Sequence, residues 1–344
     1  MGKTYGFGIV GCGAISKWHV AAIEKIENAK LVGVFNTPKE YAEDFAKNNN
    51  CRVFDTYEEM LNCDEIDVVS ICTPSGTHAP LAIEAANHGK NVIVEKPVAI
   101  TQQQIDDVVA AVEKNNVKLS VISQLRFDKN IQKVKKAIEN GELGDLIIGD
   151  IYMKYYRAPE YYSSSDWRGT WAMDGGGALM NQGIHGIDIL QYLVGPVKSV
   201  SGICKTLARD IEVEDTASLV VEYQNGAIGV IQGTTSVNPG YPRIIEITGT
   251  KGTISLSETD IIKWDVEGSD FDIGAKNSNN YGGFRDPGAM DMHTHVPQFE
   301  DMIDAIENDR QPMVNIYEGK KPVEIILAGY RASRERKQIE IGGR

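Results

Sequence analysis

The chain has 344 residues and a formal net charge of −13, from 35 lysines and arginines against 48 aspartates and glutamates. That global repulsion argues against nucleic acid or an anionic membrane as the main partner, and the length exceeds the usual span of one hydrophobic core, so two domains are expected. The five cysteines, Cys12, Cys51, Cys63, Cys72 and Cys204, form no CxxC pair and are odd in number, which suits reduced thiols. Met1 to Tyr5 runs straight into a strand candidate, and no run approaches the roughly 18 apolar residues of a membrane span, so a soluble cytoplasmic protein is expected.

Through the first third, short apolar runs alternate with amphipathic stretches. The strand candidates are 5–10, 31–35, 68–71, 91–94 and 118–122, and the segments between them, 15–26, 41–48, 80–88 and 101–114, have helical periodicity. Nearly continuous apolar character is how strands covered on both faces read, and repeated βα units predict a doubly wound parallel sheet over residues 1–124. After residue 124 the rhythm changes. A helix at 130–140 and an aromatic segment at 151–171 lead to a glycine cluster, then strand candidates at 197–205, 217–223, 227–235, 243–248 and 253–256. Gln224-Asn225-Gly226 and Thr250-Lys251-Gly252 read as hairpin turns, so residues 125–344 are expected to form an α+β domain with a large, mainly antiparallel sheet. Helices at 296–308 and 319–336 close the chain, with the C-terminal helix a candidate to pack back on the first domain, and 268–287 is read as a mobile loop.

Gly8-Ile9-Val10-Gly11-Cys12-Gly13-Ala14-Ile15-Ser16 follows the first strand and opens a helix, the setting that a dinucleotide fingerprint requires. Gly11 permits the tight turn, Gly13 lets backbone amides reach a pyrophosphate beside Ala14 and Ile15, and Ser16 is small enough for close helix–strand packing. This predicts a Rossmann domain. The acid expected about 20 residues beyond the loop, at the ribose, is replaced by Asn36, with Lys39 nearby, so the cofactor is read as NAD or NADP. Thr73, Pro74 and His78 end the 68–71 strand at the same sheet edge and are candidate cofactor contacts, although a histidine at this position more often serves a helix start.

Glu95-Lys96-Pro97 ends the run 91–94. Ligands of open parallel sheets bind outside the carboxyl ends of strands, so Lys96 should face whatever the glycine loop holds, where it can transfer protons. A lysine starts near a pKa of about 10.4 and must be lowered to act as a base near neutrality. A close carboxylate would oppose that, so Glu95 is expected to point away from the Lys96 ammonium, and a cis Lys96–Pro97 bond is expected to aim the side chain.

In the second domain, Asn181, His185 and Asp188 stand at helical spacing and are expected to share one face. Tyr155, Tyr156, Arg157, Tyr161, Tyr162, Trp167, Arg168 and Trp171 combine aromatic planes for pyranose C–H faces with guanidinium groups for carboxylate or phosphate. Asp291, His293 and His295 have metal-ligating side chains, but their alternation ahead of Val296-Pro297 suits a loop entering a helix, and no metal is expected.

The four segments GIVGCGAIS, CTPSGTH, VEKP and GGGALMNQGIHGID, in this order and spacing, resemble the Gfo/Idh/MocA family, the glucose–fructose oxidoreductase and inositol dehydrogenase group, over nearly the whole chain. The resemblance implies an NAD(P)-dependent dehydrogenase reversibly oxidising a secondary hydroxyl of a sugar. Lys96 matches the family's catalytic lysine and His185 its active-site histidine. Asn181 departs from the aspartate that many polyol-oxidising members carry four residues before that histidine, and the Asn-Gln-x-Ile-His form is closer to members oxidising C3 of nucleotide-linked or other pyranosides. Gln124 joins Lys96, Arg157, Arg168, Trp171, Asn181 and His185 as an expected substrate contact, and Glu95 and Lys96 as expected cofactor contacts. The rival readings are an inositol or free-polyol dehydrogenase and a catalytically silent NAD(P)-dependent sensor. A homodimer or homotetramer is expected.

Overall fold

The computed structural model describes residues 2–273 and 292–342. The chain divides into two compact units, 1–124 with 291–320, and 125–290 with 321–344.

In the first unit, strands β1 (Tyr5–Val10), β2 (Ala29–Phe35), β3 (Arg52–Val53), β4 (Val68–Ile71), β5 (Asn91–Val94) and β6 (Leu119–Val121) form one sheet in the order β3-β2-β1-β4-β5-β6. Every pairing is parallel. All residues of β1 and β4 are buried, as strands covered by helices on both faces require. The helices are α1 (Ser16–Lys25), α2 (Lys39–Asn49), α3 (Tyr57–Leu61), α4 (His78–Asn87) and α5 (Gln102–Asn115). Thr56 and Thr101 cap α3 and α5 by accepting the N–H groups of Glu59 and Gln104. Strand order reverses between β1 and β4, which makes their carboxyl ends the ligand crevice of such a sheet.

The second unit opens with α6 (Lys129–Glu139), β7 (Leu146–Lys154) and α7 (Pro159–Ser163). A π-helical turn, Ala178–Gly183, then runs into α8 (Ile184–Val194). Strands β8 (Val197–Lys205), β9 (Thr216–Tyr223), β10 (Ile228–Thr234), β11 (Ile244–Gly249), β12 (Gly252–Ser257) and β13 (Asp260–Val266) follow. Back in the first unit lie α9 (Val296–Glu307) and α10 (Ile316–Gly319), and the second unit ends with α11 (Lys321–Glu335) and β14 (Ile339–Glu340). The sheet order is β13-β12-β11-β7-β10-β9-β8-β14, antiparallel except for β7 with β10. Both hairpin turns read from sequence are present, at Gly226 and at Gly252.

Three features differ from the sequence reading. Strand β7, the central partner of β10 and β11, was hidden at the front of the aromatic segment, because Gly149-Asp150 breaks its alternation. The short edge strands β3 and β14 and the terminal hairpin strand β13 also carried too little periodicity to be seen. Residues 291–320, read with the second domain, group with the first: Phe299, Met302 and Ile303 of α9 complete its core against Phe7, Ile9 and Ile23. The helix that packs there is α9, and the final helix, α11, groups with the second unit. Most of the anticipated 268–287 loop, from residue 274 onward, lies outside the described residues, as does Asp291.

Candidate active site

Gly11 has φ +93°, and a Cβ there would lie 2.9 Å from the Cys72 carbonyl, so the turn at the end of β1 accepts only glycine. A Cβ on Gly13 would meet nothing within 4 Å, leaving open space at the start of α1. Ser16 is buried and donates its hydroxyl to the Gly13 carbonyl, 2.6 Å. Asn36 accepts the Cys12 N–H at 2.9 Å and donates to the Pro38 carbonyl at 2.8 Å. Its amide therefore braces the glycine loop, where the sequence reading placed it on a ribose. Lys39 is exposed and paired with Asp55, which raises its pKa and offsets the positive charge read as a 2′-phosphate partner.

Beyond the end of β4, the Thr77 hydroxyl lies 2.7 Å from both the Thr73 hydroxyl and the Pro74 carbonyl and ties the turn together. His78, expected to face cofactor, is instead buried with Nδ1 2.7 Å from the Pro97 carbonyl and Nε2 2.7 Å from the Thr73 carbonyl. Burial lowers its pKa although both carbonyls favour its charged form. It staples the two strand ends beside Lys96. The Lys96–Pro97 peptide is cis, as read from sequence.

Glu95 also turns inward, against its expected cofactor role. Its Oε1 lies 3.1 Å from His19 Nε2 and 3.6 Å from His295 Nε2, and its Oε2 accepts the Lys96 backbone N–H at 3.2 Å. Burial alone would raise the Glu95 carboxyl, but the imidazoles of His19 and His295 hold it well below its ordinary value. Gln124 is buried as well, and its Oε1 has no partner among the described residues.

In the second unit, the glycine cluster lets the chain pass over Glu214: a Cβ on Gly177 would lie 1.8 Å from the Glu214 carbonyl oxygen. The Glu214 side chain accepts the N–H groups of Gly177 and Leu179 and the Tyr330 hydroxyl, each at 2.8 Å, and so anchors the start of the π-helical turn. Burial pushes its carboxyl up to about 7 against those donors.

The π turn breaks the α-helical register on which the shared face of Asn181, His185 and Asp188 depended. Asp188 is buried and forms a two-pronged pair with Arg126, at 2.9 Å from Nε and 2.6 Å from Nη2. Asn181 instead donates to Asp174 Oδ1 at 2.7 Å, and His185 is half-buried at the first turn of α8. Asp174 thus puts a carboxylate directly behind Asn181, a placement invisible in the sequence because a glycine-rich turn of unpredictable path separates them.

The guanidinium groups cluster in this unit. Arg157 is buried, donates to Gln182 Oε1 at 2.7 Å and lies 5.8 Å from the Tyr161 ring centre. Arg168 lies 4.5 Å from the same ring and hydrogen-bonds the Tyr161 carbonyl and Ser164 hydroxyl, while its buried Nε has no partner among the described residues. Arg209, missed in sequence because it stands alone in the loop after β8, reaches the Arg157 carbonyl at 3.1 Å and the Tyr156 ring at 5.4 Å. Trp171 is half-exposed, donates to the Glu212 carbonyl and packs edge-on against Tyr330 at 5.2 Å.

Residues 5–123 match the oxidoreductase family with an NAD-binding Rossmann fold, and residues 131–255 match the GFO/IDH/MocA C-terminal domain. The chain belongs to the Gfo/Idh/MocA oxidoreductase family. It is 32% identical to the WlbA dehydrogenase from Bordetella pertussis, crystallised with NADH and UDP-GlcNAcA, with a TM-score of 0.90 over 99% of this chain and 100% of that one. The WlbA dehydrogenase from Chromobacterium violaceum, crystallised with the same two molecules, is 29% identical with a TM-score of 0.87 over 99% and 96% of the chains. Inositol 2-dehydrogenase of Rhizobium meliloti is 26% identical over 98% of this chain and 99% of that protein. As a Gfo/Idh/MocA member, the chain is a dinucleotide-dependent dehydrogenase of the sugar and polyol class.

The first unit fits the cofactor: Gly11 closes the turn, the space over Gly13 is open, and Asn36 fixes the loop between them. For metal, the ligand atoms of His19, Glu95 and His295 lie within 4.8 Å of one another. The 3.1 Å approach of His19 Nε2 to Glu95 Oε1 is a hydrogen-bond length, and the Ser70 hydroxyl at 2.6 Å from His19 Nδ1 completes that ring's pairing. Among the described residues, no helix is long and apolar enough to cross a membrane.

Proposed function

We propose that the protein reversibly oxidises the C3 hydroxyl of a nucleotide-linked, acidic pyranoside, with NAD as hydride acceptor. The observation that carries this reading is the cluster of Arg157, Arg168 and Arg209 on the faces of Tyr156 and Tyr161. Such a group suits a ligand that combines a pyranose face with carboxylate or phosphate oxygens. The similarity to the two WlbA dehydrogenases supports the same class.

When bound, the nicotinamide supplies the hydride acceptor. Gly11, Gly13, Ala14, Ile15 and Ser16 would hold the pyrophosphate of the dinucleotide, with Thr73 and Pro74 at the neighbouring strand end. Lys96 accepts the hydroxyl proton as the C–H bond transfers hydride, and in the reverse direction returns it to the carbonyl oxygen. His185 is the imidazole that the family resemblance assigns to the substrate side, and Asn181 stands where many members carry an aspartate, with Asp174 holding its amide in orientation. The pairing of Lys39 with Asp55 removes the bare cation that a 2′-phosphate would require and favours NAD over NADP.

The test is NADH absorbance with UDP-hexosaminuronates and free inositols side by side. Turnover of the nucleotide-linked acid alone supports the proposal, and turnover of inositols alone replaces it with the polyol reading, under which the internal hydrogen bonds of Arg157 and Arg168 are their whole purpose. We also propose a homo-oligomer, because β9 and β10 present Val220 and Ile228, each 56% exposed, on the outward sheet face, with Ile203 of β8 at 60%.

A further inference from the structure

The mechanism uses Lys96 but leaves His19, Glu95 and His295, three buried titratable side chains from separate elements, without a task. His19 comes from α1, Glu95 from the end of β5, and His295 from the turn leading into α9. The two rings stand 5.4 Å apart, and His19 meets Phe299 edge-on at 5.3 Å, so packing fixes both imidazoles.

The carboxylate of Glu95 divides its oxygens. Oε1 faces the two imidazoles, and Oε2 accepts the N–H of Lys96 itself. One residue further on, the Pro97 carbonyl is held by His78. The Lys96 backbone is thereby gripped on both sides by groups that reach back into the sheet. We infer that His19 and His295 are positioning residues of the dehydrogenase reaction, acting through the Glu95 carboxylate that fixes the Lys96 main chain. This inference rests on the assignment of Lys96 as the proton acceptor.

Such an arrangement solves a conflict. A carboxylate next to Lys96 is a useful anchor but a poor neighbour for a lysine that must lose its proton, because its negative charge favours the ammonium. The hydrogen bond from His19, with His295 Nε2 facing the same oxygen at 3.6 Å, draws that charge toward the core. Burial lowers the pKa of His19 against the pull of Glu95, so its ring donates as a neutral imidazole through Nε2 while the Ser70 hydroxyl serves Nδ1. The other titratable groups around the carboxylate are Cys72 on the β4 side, whose thiol burial keeps protonated, His78 from α4, and Lys96. Three carboxylate or imidazole groups within 4.8 Å are also a possible cation trap, which gives the inference a rival to test against.

The experiment measures pH profiles of kcat and KM, together with NADH binding by fluorescence and thermal melting, for wild type, Glu95→Gln, His19→Phe, His19→Gln and His295→Phe. Glu95→Gln keeps an acceptor for the Lys96 amide but removes the charge, so the limb of the kcat profile that reports Lys96 should move about one unit to lower pH. His19→Phe leaves the charge and removes its donor, so the same limb should move to higher pH and kcat should fall roughly tenfold to a hundredfold with NADH affinity unchanged. His19→Gln, whose amide N–H can replace Nε2, should recover most of that loss, and it carries the test if the phenylalanine variant does not fold. Profiles and kcat identical to wild type in Glu95→Gln and His19→Gln together with His19→Phe would overturn the inference. So would a stoichiometric metal in the purified protein that His295→Phe releases along with activity. A fully active Lys96→Met variant strikes at the functional reading instead, and the two failures are thereby separable.

Discussion

The two units hold their chemical side chains by opposite devices. In the first, Lys96 stands at a strand end whose backbone is pinned by the neighbouring Glu95 side chain on its amide and by His78, from α4, on the next carbonyl. In the second, Asn181 and His185 stand on a turn whose own backbone is irregular and whose N–H groups are gathered by one carboxylate, Glu214. A strand end needs only local bracing, because the parallel ladder fixes its position. A π turn has no ladder and depends on a buried anchor, which makes it the more sensitive of the two to pH and to substitution.

The largest expected effect tests the first side of that contrast. Lys96→Met should keep NADH binding and lose about 10²–10⁴ in turnover on the nucleotide-linked acid, the range for removing a general base, and residual turnover near wild type would break the assignment. Next comes the scaffold under the second side. Asp188→Ala strands the Arg126 guanidinium, whose exposure is 1%, and should cost about 3–5 kcal/mol in denaturant unfolding, with the intact pair of Asp188 and Arg126 as reference.

Glu214→Gln should cost less, about 1–3 kcal/mol, since the amide leaves one of the buried donors without an acceptor. It also probes pH. Glu214 has a folded-state pKa raised from 4.5 to about 7, so the folded protein keeps a proton that the unfolded chain has released. Its contribution to stability is therefore present below 4.5 and is lost as pH rises through about 7, and Glu214→Gln should flatten the melting temperature across that window. A slope unchanged in the variant would remove Glu214 as the pH-sensitive anchor.

A charge on the outward sheet face, Val220→Arg, should lower the mass seen by analytical ultracentrifugation while leaving the melting of the individual units nearly intact; a wild-type monomer would contradict the oligomer proposal. The smallest effect is expected at Lys39, where Lys39→Ala should leave the preference for NAD over NADP nearly unchanged. A marked loss of NADP affinity would restore Lys39 to the ribose.

Much of this was legible in sequence because it rests on local chemistry. Gly11 and Gly13 announced a nucleotide turn, the apolar runs of β1, β4 and β5 announced a covered parallel sheet, and Lys96-Pro97 announced a special strand end with a cis bond. The hairpins at Gly226 and Gly252 were equally plain. What escaped notice joins residues far apart in the chain. His19, Glu95 and His295 span most of the first unit's sequence, and nothing at any one of them signals the others. Asp188 was read onto the face of Asn181 because α-helical spacing was assumed through a segment that is π-helical, and Asp188 went to Arg126.

The sequence alone determined the dinucleotide unit and the strand end carrying Lys96, because turn geometry and strand period depend on residues within a few positions of one another, and the class of chemistry came with the family resemblance of four short motifs. Tertiary structure alone decided that α9 belongs to the first core, that Asn36 and His78 are braces, that Glu214 gathers the amides at the start of the π turn, and that His19 meets the carboxylate on the Lys96 amide. Burial creates those roles: an amide, imidazole or carboxylate removed from water must find its partner wherever the fold brings one, and sequence distance does not enter that requirement.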